Sequence, residues 1–255
     1  MADATRAGTP HEGLRMSGML ASVCSVAEAR IALHAYVDII DCKNPRRGAL
    51  GALPPNTIGD IADAVGGART TSATTGDDLR SPKALLDAIR LTADCGVDYV
   101  KFGLFEAEVT DDYIKAIETI APYRDLIAVC FIDRYDPTAL LERLAGSGIR
   151  GVMIDTADKT TPSLTELWST DQIAGFVQQA QALGLLCGLA GRLRLVDIPI
   201  LLPMQADYLG FRSALCRGAR RQQQLDHTAV MQVRETIPFK PRSAIVERQR
   251  ASLHR

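Results

Sequence analysis

Three lysines and two aspartates stand where apolar runs of the sequence end or are interrupted. Asp41 and Lys43 close one short run, Asp155 closes a second and is followed by Lys159, and Lys101 interrupts a third. A lysine amine can lose its proton and attack a carbonyl carbon, whereas the guanidinium of arginine cannot. Burial and mutual repulsion lower the pKa of such amines. If the fold gathers these five residues, they can form an imine and move protons.

Each of these residues also has a simpler interpretation when it is taken singly. Asp155 could cap a helix, Lys159 could be solvated, and Lys101 could extend outward between helices. However, the chain has only six lysines against 23 arginines, so arginine is its usual surface cation. A lysine inside an apolar strand therefore needs a reason, and we predict that Lys101 lies at the mouth of the site.

Two glycine-containing segments are candidates for binding a phosphate group. One contains Gly191 and Arg192, and the other contains Gly210, Arg212 and Ser213. Glycine lets backbone N–H groups close on an anion, and an arginine can add a forked contact. Ordinary turns between a strand and a helix are the alternative that the residues alone leave open.

The elements that must position these residues alternate along the chain. Short apolar runs recur about every 25 to 35 residues, and the stretches between them have helical apolar spacing. The predicted strands are residues 19–24, 37–42, 69–74, 99–104, 126–132, 151–155, 185–189 and 208–211. Eight such units, with no G-x-G-x-x-G after any strand, predict a single α/β domain, a (β/α)8 TIM barrel. We expect the barrel at 19–239, a flexible N-terminal tail at 1–18 and a C-terminal tail at 240–255.

The composition limits the classes of function. Hydrophobic residues make up 47% of the chain and charged residues 23%, which predicts a globular protein with a large core. The net charge of −1 argues against a nucleic-acid partner, and the apolar runs are too short for a membrane span. Six widely spaced cysteines predict reduced thiols in the cytoplasm, and four scattered histidines predict no metal site. We expect no cofactor, a small-molecule substrate and a homo-oligomer.

Four sequence segments resemble one known family. They are D-C-K-N-P from Asp41 with G-A-L-G from Gly48, Y-V-K-F-G-L from Tyr99, I-D from Ile154 with Lys159, and G-F-R from Gly210. The chain is similar here to the (5-formylfuran-3-yl)methyl phosphate synthases, also called 4-(hydroxymethyl)-2-furancarboxaldehyde phosphate synthases, over about residues 19–237. The first segment is specific by its length, whereas each of the others would be weak alone.

The resemblance implies a TIM-barrel lyase that acts early in methanofuran biosynthesis, which serves one-carbon metabolism. Such an enzyme joins two molecules of glyceraldehyde 3-phosphate and loses water and one phosphate to close a furan ring. Lys43 would match the Schiff-base lysine of the family and Lys101 its proton acceptor. Asp41, Asp155 and Lys159 would transfer protons and hold the phosphorylated substrate.

Some parts of the chain depart from the family pattern, and two rival functions remain. The departures are the first 18 residues, the arginine-rich stretch after Phe239, and residues 190–193, where a phosphate contact is expected. Orotidine and ketogulonate phosphate decarboxylases also place D-x-K at a strand end, but a second aspartate usually follows, whereas Asn44 and Pro45 follow here. A barrel that binds a sugar phosphate without turnover is the other rival.

Overall fold

The computed structural model of the protein describes residues 16–77 and 81–238. Residues 1–15 of the predicted N-terminal tail and the whole predicted C-terminal tail, 240–255, lie outside the described residues. The boundary predicted at the amino-terminal end differs slightly, because Ser17 is buried and its hydroxyl donates to the carbonyl of Ala206 at 2.7 Å. The first strand then begins at Gly18.

Eight parallel strands form a closed barrel in chain order, which confirms the predicted (β/α)8 fold. The strands are β1 Gly18–Val23, β2 Ile39–Cys42, β3 Thr70–Thr74, β4 Tyr99–Leu104, β5 Leu126–Phe131, β6 Gly151–Asp155, β7 Leu186–Leu189 and β8 Tyr208–Phe211. Each lies within two residues of its predicted bounds. The largest difference is at β2, because Tyr36 adopts a left-handed φ of 55° and the amide of Val37 still bonds to the preceding helix at Ala32.

Helices cover the outside of the barrel. They are α1 Val26–His34, α2 Pro55–Val65, α3 Pro82–Ala93, α4 Asp111–Ile120, α5 Leu141–Gly146, α6 Leu164–Leu167, α7 Thr170–Ala182, α8 Ile198–Leu201 and α9 His227–Thr236. Ser81 caps α3 by accepting from the amide of Ala84, and Pro82 is the first helical residue. After Pro137 a 3₁₀ turn at Thr138–Leu140 precedes α5. Among the described residues, no helix is long and apolar enough to cross a membrane.

Side chains on each strand alternate between the barrel interior and the layer under the helices. In β4 the outward residues Val100, Phe102 and Leu104 belong to the large cluster between strands and helices, whereas Tyr99 belongs to the cluster inside the barrel. Lys101 has the same parity as Tyr99 and is only 2% exposed. It therefore points into the barrel, and the alternative of an outward lysine between helices is excluded.

Glycines on the inner face of the barrel make room for larger neighbours. A Cβ atom at Gly188 in β7 would come within 3 Å of the ring of Tyr208, and one at Gly210 in β8 would lie 2.7 Å from Cε of Met153. Both glycines are buried, as is Tyr208. Since interiors pack at close to crystal density, these rings and side chains have little room to retreat.

We expect Gly188→Ala to destabilise the protein by about 1–3 kcal/mol, because the added methyl group overpacks the barrel against Tyr208. Gly175 provides a matched control, since it lies exposed in α7 with no atom within 4 Å of a Cβ. Gly175→Ala should stabilise by about 0.5–1 kcal/mol. Chemical denaturation measures both changes, and equal effects of the two substitutions would contradict this account of the core.

Candidate active site

All ten residues that the sequence singles out line one cavity at the carboxyl end of the barrel strands. The cavity encloses about 550 Å³, part of it open to solvent, which lies within the usual range for small-molecule sites. This end of the barrel carries the active site in characterised TIM-barrel enzymes. A second cavity, mainly apolar and lined by Tyr99 and Tyr208, opens at the opposite end and reaches Lys101 from below.

Asp41 and Lys101 form an ion pair in the centre of the barrel. The Nζ atom of Lys101 lies 2.6 Å from Oδ1 of Asp41, and both side chains are almost completely buried. The hydroxyl of Ser22 donates to Oδ2 of Asp41 at 2.8 Å and that of Ser72 donates to Oδ1 at 2.7 Å. The register of β1, β2 and β3 places Ser22, Asp41 and Ser72 side by side. The carboxylate is thus fixed by one amine and two hydroxyl groups.

The buried position of Lys101 affects its pKa. Burial lowers the pKa of Lys101 and the nearby charge of Lys43 lowers it further, whereas Asp41 opposes both effects. An amine with a lowered pKa gives up its proton more readily near neutral pH. Lys101 is therefore suited to exchanging a proton with a substrate that enters from the cavity above it.

Asp155 lies between two further lysines at the end of β6. Its Oδ2 atom is 3.3 Å from Nζ of Lys43 and its Oδ1 atom is 2.8 Å from Nζ of Lys159. The amide of Thr156 also donates to Oδ1 at 2.7 Å. Burial by itself would raise the pKa of Asp155, but Lys159 and Lys43 together hold it well below its usual range. Asp155 therefore remains a carboxylate that aligns two amines.

The pKa of Lys159 lies well below that of an ordinary lysine. Burial lowers it from the ordinary 10.5 to about 8, and the charges of Lys43 and Arg221 add to this effect, whereas Asp155 opposes it. Nζ of Lys159 also donates to the carbonyl of Thr156. A substantial fraction of this amine is neutral at pH 8, so it can accept a proton or act as a nucleophile.

The loop after β7 offers backbone amides to the cavity. Gly191 and Arg192 both have left-handed φ values, 110° and 53°. The N–H groups of Gly191, Arg192 and Leu193 have no hydrogen-bond partner within the described residues, and all three residues line the cavity. The guanidinium of Arg192 is exposed and donates to the carbonyl of Thr161. Binding of an anion here would therefore use the backbone amides more than the Arg192 side chain.

Arg212 differs from the expectation that its guanidinium binds phosphate. Two of its N–H groups donate to the carboxylate of Glu28 at 2.6 and 3.2 Å. The other three donate to the carbonyls of Ser22, Arg221 and Gln223 at 3.0, 2.8 and 2.9 Å. All five donors of this guanidinium are thus used within the protein. Arg212 ties β1 and α1 to the loop after β8.

Gly210 and Ser213 remain available to a ligand at the cavity wall. Gly210 lies at the inner face of β8, where its lack of a side chain accommodates Met153 in the cavity wall, and Ser213 follows it at the rim. Within the described residues, no group of three or more His, Cys, Asp or Glu could hold a metal ion.

Three residues of the site were not found from the sequence. Ser22 is a polar position in the otherwise apolar β1, whereas Ser72 lies among the threonines of β3, and aligning the strands in barrel order would have placed both beside Asp41. Arg221 also lines the cavity, but it lies in an irregular arginine-rich loop. Nothing in the periodicity of that loop distinguishes it from the neighbouring Arg217 and Arg220.

We expect the signal of Lys159 in a protein labelled with ¹³C-lysine to titrate with a midpoint near pH 8. Asp155→Asn should move the midpoint lower, because it removes the negative charge that favours the protonated amine. Lys43→Met should move it higher, because it removes a repelling positive charge. Lys159→Gln assigns the signal. A midpoint at the ordinary value of 10.5 would contradict the burial of this amine.

The sequence matches the model of the 4-HFC-P synthase family over residues 19–234, which is nearly the whole barrel. A protein of Methylorubrum extorquens, provisionally named (5-formylfuran-3-yl)methyl phosphate synthase, is 42% identical over 225 residues. That alignment covers 88% of this chain and 93% of the relative. The (5-formylfuran-3-yl)methyl phosphate synthase of Methanocaldococcus jannaschii is 32% identical over 85% of this chain and 98% of its own length.

Solved structures support the fold alone. A 3-hexulose-6-phosphate synthase has a TM-score of 0.59 at 15% identity, covering 86% of this chain and 100% of its own. Phosphoribosyl anthranilate isomerase from Thermus thermophilus has a TM-score of 0.60 at 12% identity, covering 86% of this chain and 97% of its own. The match to the family and the identity to its members over most of their length go further: this chain belongs to the 4-HFC-P synthase family.

Proposed function

We propose that this protein is a (5-formylfuran-3-yl)methyl phosphate synthase that joins two molecules of glyceraldehyde 3-phosphate through a lysine imine. The observation that carries the proposal is the set of three lysines held by two buried carboxylates at one barrel mouth. The name that members of its family carry supports the proposed product. The two trioses together lose one phosphate and two molecules of water to give the furan.

Lys43 is the proposed nucleophile. It follows β2 directly, its amide continues the ladder by bonding to the carbonyl of Val23 at 2.9 Å, and its side chain reaches the cavity. Attack of its amine on the aldehyde carbon and loss of water give an imine. Asp155, 3.3 Å from this amine, holds it in place and offers a partner for the charge of the protonated imine.

The imine makes the next chemical steps possible. It withdraws electrons from the adjacent carbon and so acidifies the proton on that carbon. Removal of this proton gives an enamine, whose electron pair can expel the phosphate at the third carbon. A second such deprotonation, on the other triose, supplies the electron pair that forms the new carbon–carbon bond. Because the imine performs the electrophilic activation, the proposed scheme requires neither a metal ion nor an organic cofactor.

Lys101 and Lys159 are the proposed proton carriers. Lys101 lies deepest, paired with Asp41, and its lowered pKa suits it to removing the proton next to the imine. Lys159 lies nearer the mouth, with a pKa of about 8, and suits proton transfer to the departing water and phosphate oxygens. Gly191, Gly210 and Ser213 are the proposed contacts for a substrate phosphate.

We expect purified protein to convert glyceraldehyde 3-phosphate into a product with the ultraviolet absorbance of a furan aldehyde. Borohydride added during turnover should trap a covalent adduct on Lys43, located by peptide mapping. Lys43→Met should lose both the product and the adduct, and the exposed Lys83→Met is the control that should keep both. An adduct on Lys159 would reassign the nucleophile. Product formed with no adduct on any lysine would argue for an enediolate mechanism.

We expect Lys101→Arg and Lys101→Met to lower kcat by about 10²- to 10⁴-fold, the usual contribution of general-base catalysis. Arginine keeps the positive charge but cannot release a proton near neutral pH. KM should change less, because the phosphate contacts lie elsewhere. Thermal unfolding checks that each variant folds, which matters because Lys101 is buried. A near-normal kcat with a raised KM in Lys101→Arg would instead indicate a cation that binds phosphate.

A further inference from the structure

Arg221 lines the cavity and connects two of the loops that surround it. It lies beyond β8 in a loop that is closed by an antiparallel bridge between Cys216 and Leu225. Its side chain is half-buried at the cavity wall. One of its terminal N–H groups donates to the carbonyl of Gly48 at 3.1 Å. The side chain thus spans from the loop after β8 to the loop after β2.

The charge of this guanidinium has no carboxylate to neutralise it within the described residues. The acidic groups that influence it most are Asp155 and Asp77. Asp155 is already bound to two lysines, and Asp77 accepts from the amides of Ala49 and Leu50 at 2.7 and 2.5 Å. Burial lowers the pKa of Arg221, and the charge of Arg212 contributes to the same effect.

Most of the hydrogen-bonding capacity of the Arg221 guanidinium is also unused within the described residues. A guanidinium carries five N–H donors, and in Arg221 the bond to Gly48 is the one formed with the described part of the chain. A partly buried cation with unused N–H donors is unfavourable unless an anion neutralises its charge and accepts its hydrogen bonds. The free donors border a cavity that already contains the unbonded amides of Gly191, Arg192 and Leu193.

The loop is held rigidly enough to fix this arginine in place. Arg212 donates to the carbonyls of Arg221 and Gln223, and the amide of Gln223 donates to the carbonyl of Arg220 at 2.8 Å. The amide of Leu225 donates to Glu28 at 3.1 Å. Since a preorganised cation loses little entropy on binding, the loop is suited to recognising an anion.

We propose that Arg221 binds a phosphate group of the triose phosphate substrate, with the amides of residues 191–193 as further donors. The inference rests on the proposed function for the identity of the substrate, but its chemistry is that of any phosphate monoester. A forked arginine contact to phosphate oxygens is among the stronger hydrogen-bonding arrangements in proteins. The alternative role is structural, in which Arg221 only ties its loop to Gly48.

Inorganic phosphate is the probe that separates these roles, because its binding requires no turnover. We expect calorimetric titration of the full chain with phosphate to show binding, weakened at least about tenfold by Arg221→Gln, the usual loss for a charge-assisted hydrogen bond. Arg221→Lys should retain part of the affinity. Arg220→Gln, the exposed neighbour in the same loop, should leave it unchanged. Thermal unfolding confirms that each variant is folded.

Kinetics with glyceraldehyde 3-phosphate provide the second readout. Arg221→Gln should raise KM about tenfold or more with a smaller change in kcat, since the contact is made in the bound substrate as well as in the transition state. If phosphate binding depends on Arg221 but the protein forms no furan, the proposed reaction is contradicted and this inference stands. An affinity for phosphate that Arg221→Gln leaves unchanged, or no phosphate binding by the wild-type protein, would overturn it.

Discussion

The structure of the site depends on one constraint: a carboxylate buried in the barrel interior has to be satisfied. Asp41 has no exposed surface, and removing such a charge from water costs several kcal/mol even after relaxation. It is satisfied by Lys101 and by hydroxyls from β1 and β3, so three neighbouring strands and β4 must keep their register. This pairing also explains how a lysine can lie inside an apolar strand. The same interaction that makes the interior tolerable for charge places a titratable amine under the cavity.

The sequence predicts this arrangement where a local rule applies. Alternation along β4 and the scarcity of lysine are enough to place Lys101 inside, and apolar runs at regular spacing predict the eight strands. The sequence does not distinguish Arg212 from Arg221, two arginines that follow the same strand, β8. Arg212 uses all its donors within the protein, whereas Arg221 keeps donors free at the cavity. That difference arises because an irregular loop folds around Glu28, and such a loop has no periodic sequence pattern from which the difference could be predicted.

The segment after β2 shows that a specific motif need not consist of catalytic residues. A Cβ atom at Gly51 would lie 2.5 Å from the carbonyl oxygen of Asn44, and the amide of Asn44 donates to the carbonyl of Gly51 at 2.7 Å. Gly48 has a φ of 72° and packs directly against the carboxylate of Asp77. The glycines therefore shape a tight loop, and the shape brings the carbonyl of Gly48 to Arg221. Most of the motif serves to position Lys43 and the cavity rim.

The second carboxylate explains why the three lysines need not act alike. Asp155 is shared by Lys43 and Lys159, and one negative charge cannot fully stabilise two ammonium groups in a buried site. Burial and the repulsion from Lys43 lower the pKa of Lys159 to about 8, so this amine is driven toward its neutral form. Entry of a phosphate at Arg221 would bring a further negative charge to the same mouth and raise the pKa of Lys159. An imine at Lys43 that loses its proton would remove the repulsion and act in the same direction. Under the proposed function, Lys159 would therefore bind a proton as substrate enters and release it as phosphate departs.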